Sequence, residues 1–297
     1  MTLDIFLQNL INGLSLGGLY ALIAIGYTMV YGILRLINFA HGEIFMLGTY
    51  FLFYGVAIFH LPWWLSFVIA IILTALTGML TEKIAYRPLR NAPRISILIS
   101  AIGVSFFLQN AGVVVFSGVP KSFNRPDIFK KMFILGNIRI SSINIAATVI
   151  SILFLMALLY IVFKTKTGLA MRAISTDVET AKLMAVDVDN TISITFAIGS
   201  ALAAVGGILW ALKYPQIFPV MGMIPGIKAF IAAVLGGIGN IGGAMIGGFI
   251  LGLAEIMLVG FMPALSGYRD AFAFVILILI LLFKPDGIMG KNVQEKV

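Results

Sequence analysis

The 297-residue chain has no cysteine, which excludes disulfides, thiolate zinc sites, iron–sulfur clusters and thiol nucleophiles. Its two histidines, His41 and His60, are too few soft ligands for a transition-metal site, and no residue pattern implies a bound cofactor. Charge is scarce too: 11% of the residues are charged, against about a quarter in a soluble domain. The sequence G-x-x-x-x-G-K-[ST] does not occur, so the chain cannot cradle nucleotide phosphates with a P-loop. No catalytic constellation is legible either, and the chain reads as a non-enzyme. The net charge of +8 does not point to nucleic acid, because the lysines and arginines sit in short loops instead of along one face.

What is abundant is hydrocarbon. Of the residues, 61% are hydrophobic, and they gather in runs such as Ile143 to Phe163 and Thr191 to Leu212. Each run approaches the ~20 residues that a helix rising ~1.5 Å per residue needs to cross a bilayer. The first run, from about Ile5 to Leu34, is longer, and Asn9, Asn12, Gly13, Gly17 and Gly18 interrupt it; it reads as one kinked helix. Asp4 and the lack of a basic residue before it argue against a cleaved signal peptide. Further spans are expected at about 44 to 59, 62 to 81, 95 to 118, 143 to 163, 191 to 212 and 270 to 283. Trp63 and Trp64 fit an interfacial belt.

Counting the glycine-dense stretch from Gly226 to Pro263 as two short helices gives about nine spans. The fold class is therefore all-α, a polytopic membrane protein with about 8–10 transmembrane helices, some short or broken, in a single domain over 1–297. Lysine and arginine bias places the loops at 83 to 94 and 164 to 190 in the cytoplasm, with the tail that carries Lys284, Lys291 and Lys296. The 119 to 142 stretch carries the wrong bias for its outside position and is taken as an exception.

In the glycine-dense stretch, Gly239, Gly243 and Gly247 recur every four residues, a spacing that lines one helix face with small side chains. The core Gly237 to Gly243 also breaks a helix, and broken helices at membrane depth survive only inside protein or along a cavity. Packing is the expected role of Gly236, Gly237 and Gly239, ahead of substrate contact. Glu255 lies well inside an apolar run, where an ionisable group costs at least ~2.5 kcal/mol unless it is paired, protonated or wet. It is either a relay group or an interhelical hydrogen-bonding residue, and its isolation favours the second, for which glutamine would serve. Asn38, His41 and Glu43 cluster between two spans. Asn38 is placed to cap the following helix and Glu43 lies in its first turn; helix-end chemistry and lining of a translocation path both fit.

The loop at about 164–190 holds the most informative segment. Thr176 followed by Glu179 matches a capping box, so a helix is expected to start there. Ala181, Met184, Ala185 and Val188 then form a small apolar stripe. An alanine-rich stripe binds lipid weakly, and docking into a groove on a soluble partner fits it better.

These residues resemble a known family. Tyr20 to Gly32, Ile37 to Glu43, Ala85 to Pro88, Leu98 to Gly103, Gly168 to Asp187 and Ala229 to Gly248 together are similar to permeases of branched-chain amino-acid ABC importers, of the LivH type. The resemblance implies alternating access in a multi-pass protein of the bacterial inner membrane. It also implies partners: a related second permease, two cytoplasmic ATPase subunits that consume ATP, and an extracytoplasmic binding protein delivering leucine, isoleucine or valine. The segment Gly168 to Asp187 is similar to the family's coupling piece, which assigns ATPase coupling to Gly168, Ala170, Arg172, Ala173, Thr176, Glu179, Ala181, Met184 and Ala185. Where the family commonly has Gly-Ile, this chain has Ala185-Val186, and alanine takes a left-handed C-cap less easily. An ion-coupled carrier using Glu255 or Glu43 is the alternative.

Overall fold

Hydrocarbon length sets the architecture. In a computed structural model describing residues 3–290, seven helical segments are long and apolar enough to cross a membrane. Lys291 and Lys296, expected in the tail, lie outside the described residues. The first helix, α1 (Leu3–Leu34), is continuous. Then come α2 (His41–Ala57), α3 (Trp63–Thr81), which runs on through a π-helical turn at Glu82–Tyr86, and α4 (Arg94–Phe116). A short strand β1 (Lys121–Ser122) and a hairpin of β2 (Met132–Leu135) and β3 (Ile138–Ser141) follow. Beyond them lie α5 (Ser142–Lys164), α6 (Lys166–Thr176), α7 (Val178–Leu183) and α8 (Val188–Lys213). The chain ends its described course with β4 (Gln216–Ile217), α9 (Met223–Gly236), α10 (Ile241–Phe261) and α11 (Arg269–Phe283).

The hairpin lies in the stretch read only as polar. Its signal was present: Gly136-Asn137 separates an apolar four-residue strand from an alternating one, paired Leu135 to Ile138, and Gly136 takes φ +62°, which a tight two-residue turn requires. It seats on the start of α1, where Asn137 donates to Asp4 at 2.9 Å and the Arg139 amide donates to Gln8 at 2.8 Å. β1 pairs with β4.

Burial sorts the helices into a centre and a rim. The most apolar windows of α1 and α8 are 89% and 78% buried, whereas those of α4 and of 263–283 are 17% and 6% buried. In water such a rim would aggregate; facing lipid or a neighbouring subunit it is the expected surface. Small residues bring the centre together. Gly248 and Gly252 of α10 lie against the backbone of Ala21 and Gly17 in α1, and Gly243 and Gly247 lie against Gly236 and Ala232 in α9. Gly48 of α2 lies on Ala204 of α8, and Gly199 of α8 on Gly26 of α1. With no hydrophobic drive between helices in lipid, close backbone approach of this kind supplies the packing contacts.

The glycine-dense stretch divides as the sequence predicts, but unevenly. α9 has 14 residues while α10 has 21, a full span instead of a second short helix. The break falls at Gly237, with φ +108°, and Gly239, with φ +92°. Gly239 therefore sits in the turn before α10 and is not part of the expected glycine face; Asn240 caps α10 by accepting from the Gly243 amide at 3.0 Å.

Candidate functional site

Three places hold the residues singled out above. The first is a membrane-embedded ion cluster. Glu255 is fully buried and hydrogen-bonded between helices as expected, with partners the sequence did not show: Lys228 Nζ lies 2.8 Å from its Oε1, Arg269 Nε lies 2.8 Å from its Oε2, and the Tyr20 hydroxyl donates at 3.1 Å. Lys228, itself buried, also reaches Asp270 at 2.6 Å. A carboxylate held between two cations has no free site for a proton relay. Lys228 and Arg269 lie 27 residues before and 14 after Glu255 (255 − 228 and 269 − 255), so no local spacing could have revealed them.

The second place is where α2 begins. His41 packs under Gly26, which lies eight residues before the end of α1 at Leu34, so the turn 35–40 folds back into the bundle by about 12 Å. Asn38 does not cap α2. The N-cap position belongs to Ala40, without a side-chain bond, and Asn38 is buried with its Oδ1 accepting from the Tyr86 hydroxyl at 2.7 Å. His41 is buried with its ring 4.6 Å from that of Tyr27. Glu43 is 4% exposed; Ser105 Oγ of α4 donates to its Oε1 at 3.4 Å, and its Oε2 has no partner among the described residues. The three polar residues therefore share a re-entrant segment and face different neighbours.

The third place is the 164–190 segment, at the end of the bundle away from the hairpin. It contains two helices instead of one. α6 opens on Thr165, whose hydroxyl accepts from the Gly168 amide at 3.1 Å, and carries Gly168, Ala170, Arg172 and Ala173. Gly168 lies against the backbone of Ile161 and Val162, so a larger residue there would push α6 off α5. Thr176 ends α6, donating back to the Arg172 carbonyl, and opens nothing. The cap of α7 is Asp177, which accepts from the amides of Glu179 at 3.0 Å and Thr180 at 3.3 Å. The Thr180 hydroxyl and these amides hold the Asp177 carboxyl below the usual range. Glu179 pairs with Lys182 at 2.9 Å instead of reaching back.

The expected stripe is broken as well. α7 has six residues, Ala181 is 3% exposed and turned inward, and Val188 already belongs to α8. The outward apolar residues are Leu183, 87% exposed, and Met184, 75% exposed. Ala185 adopts φ +59°; its amide bonds the Lys182 carbonyl at 3.0 Å and that of Val186 bonds the Ala181 carbonyl at 3.1 Å. Those two bonds form a Schellman motif with alanine where glycine is usual.

Two features beside this segment had no sequence signal. Glu82, fully buried, gathers Arg87, Arg90 and Ser193, and Arg90 also pairs with Asp189, so loop charges read as topology signals tie the end of α3 to the start of α8. A cavity of about 660 Å³ opens between the end of α1, α6 and the 238–242 turn, lined among others by Tyr31, Arg35, Arg172, Gly239 and Asn240. Of the three glycines named as pathway or packing residues, Gly239 lines it, while Gly236 and Gly237 pack against backbone at Gly243 and Gly290.

Residues 9–281 match a family described as the permease component of the branched-chain amino acid transport system. The permease protein BraD of Pseudomonas aeruginosa, from a high-affinity branched-chain amino acid transport system, is 44% identical over 98% of both chains. LivH of Salmonella typhimurium and LivH of Escherichia coli, named in the same terms, are 43% and 42% identical, again over 98% of both chains. Among solved structures, PsaBC from Streptococcus pneumoniae in complex with Fab aligns over 95% of this chain and 92% of that one at 14% identity and TM-score 0.49.

Proposed function

We propose, from the premise that the chain belongs to the permease family of branched-chain amino acid transport systems, that it forms part of the membrane path of an ATP-driven importer for leucine, isoleucine or valine. The observation that carries this reading is identity of 42–44% spread over 98% of the chain, so that every span has a counterpart in the named permeases. The fold supports it: seven apolar spans, α1 and α8 at their centre, pack with two helices, α2 and α9, that start inside the bundle. Helices that begin within the membrane are tolerated only in buried or cavity-lining positions.

Energy comes from separate ATPase subunits, two per assembly, and substrate from an extracytoplasmic binding protein; the second permease is a related chain. The ATPase docks on α6 and α7, where Leu183 and Met184 stand out from the surface beside the 660 Å³ cavity. That face is cytoplasmic, and the hairpin face is external. Co-expression with an ATPase and a binding protein of the same transport system tests this. A stable complex whose ATP hydrolysis rises with leucine-loaded binding protein is expected, and a permease that co-purifies with neither contradicts it.

A further inference from the structure

The buried glutamates differ in their partners. Glu255 and Glu82 each have two cations, while Glu43 has a single hydroxyl at 3.4 Å and one oxygen with no partner among the described residues. A carboxylate in an apolar interior is costly unless its oxygens are engaged. α2 and α9 both start near Glu43, neither N-terminus carries a side-chain cap, and Gly42 lies directly against Gly222 and Gly226, with the Glu43 amide in the same contact. Two positive helix ends therefore converge on the first turn that holds the carboxylate. Among the described residues no cation pairs with the carboxylate, and Oε2 is left unmatched.

Glu43 lies at a seam between α2 and α4. Along it Glu43 meets Ser105, Met46 meets Gly112, and Tyr50 stacks on Phe116 with ring centroids 4.1 Å apart. The Tyr50 hydroxyl is also buried and unpartnered, two turns above Glu43 on the same helix face. α4 is held lightly. Its outer face is bare, with Ile99 62%, Phe107 70% and Val114 83% exposed, so a small tilt would open the seam without disturbing the buried centre.

Resting on the importer reading, we infer that Glu43 receives the ammonium group of the transported amino acid when α4 moves aside. An ammonium supplies up to three donors and the missing positive charge. The apolar substrate side chain then lies along Met46 and the aromatic pair. Ser105 orients the carboxylate through its bond to Oε1, leaving Oε2 for the ligand.

The test uses the complete importer with its ATPase, binding protein and ATP in proteoliposomes. Glu43→Gln keeps the shape and loses the charge, and leucine uptake should fall at least tenfold, with Glu43→Asp recovering part of it. In the unmutated complex a lipid-soluble carbodiimide should modify Glu43, and leucine should slow this several-fold. 4-Methylpentanoate has the same carbon skeleton and carboxylate without the ammonium, and should not protect. Undiminished uptake by Glu43→Gln would overturn the inference, as would equal protection by both compounds or no reaction at Glu43 during turnover. If Glu43→Gln fails to assemble, the protection measurement decides alone. If the unmutated complex takes up no leucine, the importer reading itself fails; if it does and the variant matches it, only the role of Glu43 fails.

Discussion

Lys228 Nζ of α9 sits 2.8 Å from Glu255 Oε1 of α10, with neither residue more than 4% exposed. The pair joins the short helix to the full-length span beside it, and Arg269 adds α11 to the same carboxylate. Burying ions is expensive, and breaking a buried pair from one side costs about 3–5 kcal/mol because the partner is stranded.

Glu255→Gln should therefore destabilise the permease by about 3 kcal/mol, the low end of that range, since Lys228 keeps Asp270 and Arg269 is partly exposed. Thermal unfolding in detergent measures it. Pairing the change with Lys228→Met should recover part of the loss, because no cation is then left buried without its acid. A silent Glu255→Gln would return Glu255 to the neutral packing role that its isolation in sequence suggests.

That contrast shows which information the sequence carries. Spans and the helix break within Gly237 to Gly243 depend on local composition and are legible at once. The partners of Glu255 and Glu82 are set by which helices touch, and the residues concerned lie on different elements. The segment at 164–190 reads in sequence as one capped helix and holds two. Asp177 outcompetes Thr176 as a cap because its carboxylate accepts two amides at once, and Ala181 turns inward because α7 ends after six residues. The Gly136-Asn137 turn was legible and was overlooked among the charges around it.

Ala185→Gly should stabilise the end of α7. A non-glycine residue in the left-handed region costs about 1 kcal/mol, and the two Schellman bonds already hold the backbone there. Amide exchange across residues 181 to 186 should slow, with transport unchanged. Faster exchange would mean that the alanine methyl makes a contact worth more than the strain.

Docking should depend on the outward residues. Leu183→Asp or Met184→Asp should weaken ATPase binding and uptake together while the permease inserts normally, because both side chains stand clear of its own core. Ala181→Asp should act differently, lowering the stability of the permease itself, since that position is buried within the chain. Equal effects on docking from all three would show that α7 reorients on binding.

The cap of α7 is pH-sensitive in a defined direction. The Asp177 carboxyl is held below the ordinary value of ~3.9 by hydrogen bonds made in the folded state. Its contribution is therefore complete above that value and is lost as pH falls through the lowered one. Asp177→Asn, which still accepts but does not titrate in this range, should remove the acid-dependent fraying of α7 seen by amide exchange.

Gly248→Leu should separate α1 from α10, because a side chain there meets the backbone of Ala21, which cannot yield as a flexible side chain would. Gly267→Ala, where a Cβ meets nothing within 4 Å, should be neutral. Yield of folded monomer in detergent distinguishes them, and comparable yields would mean the helices can slide to accommodate the change.

Substrate movement is the most direct test. Proteoliposomes holding the permease, its related partner and the ATPase should accumulate radiolabelled leucine when ATP is enclosed on the ATPase side and loaded binding protein is supplied on the other. Uptake should stop when ATP is withheld, whatever proton or sodium gradient is imposed. Accumulation driven by an ion gradient in vesicles containing this chain alone would contradict the account.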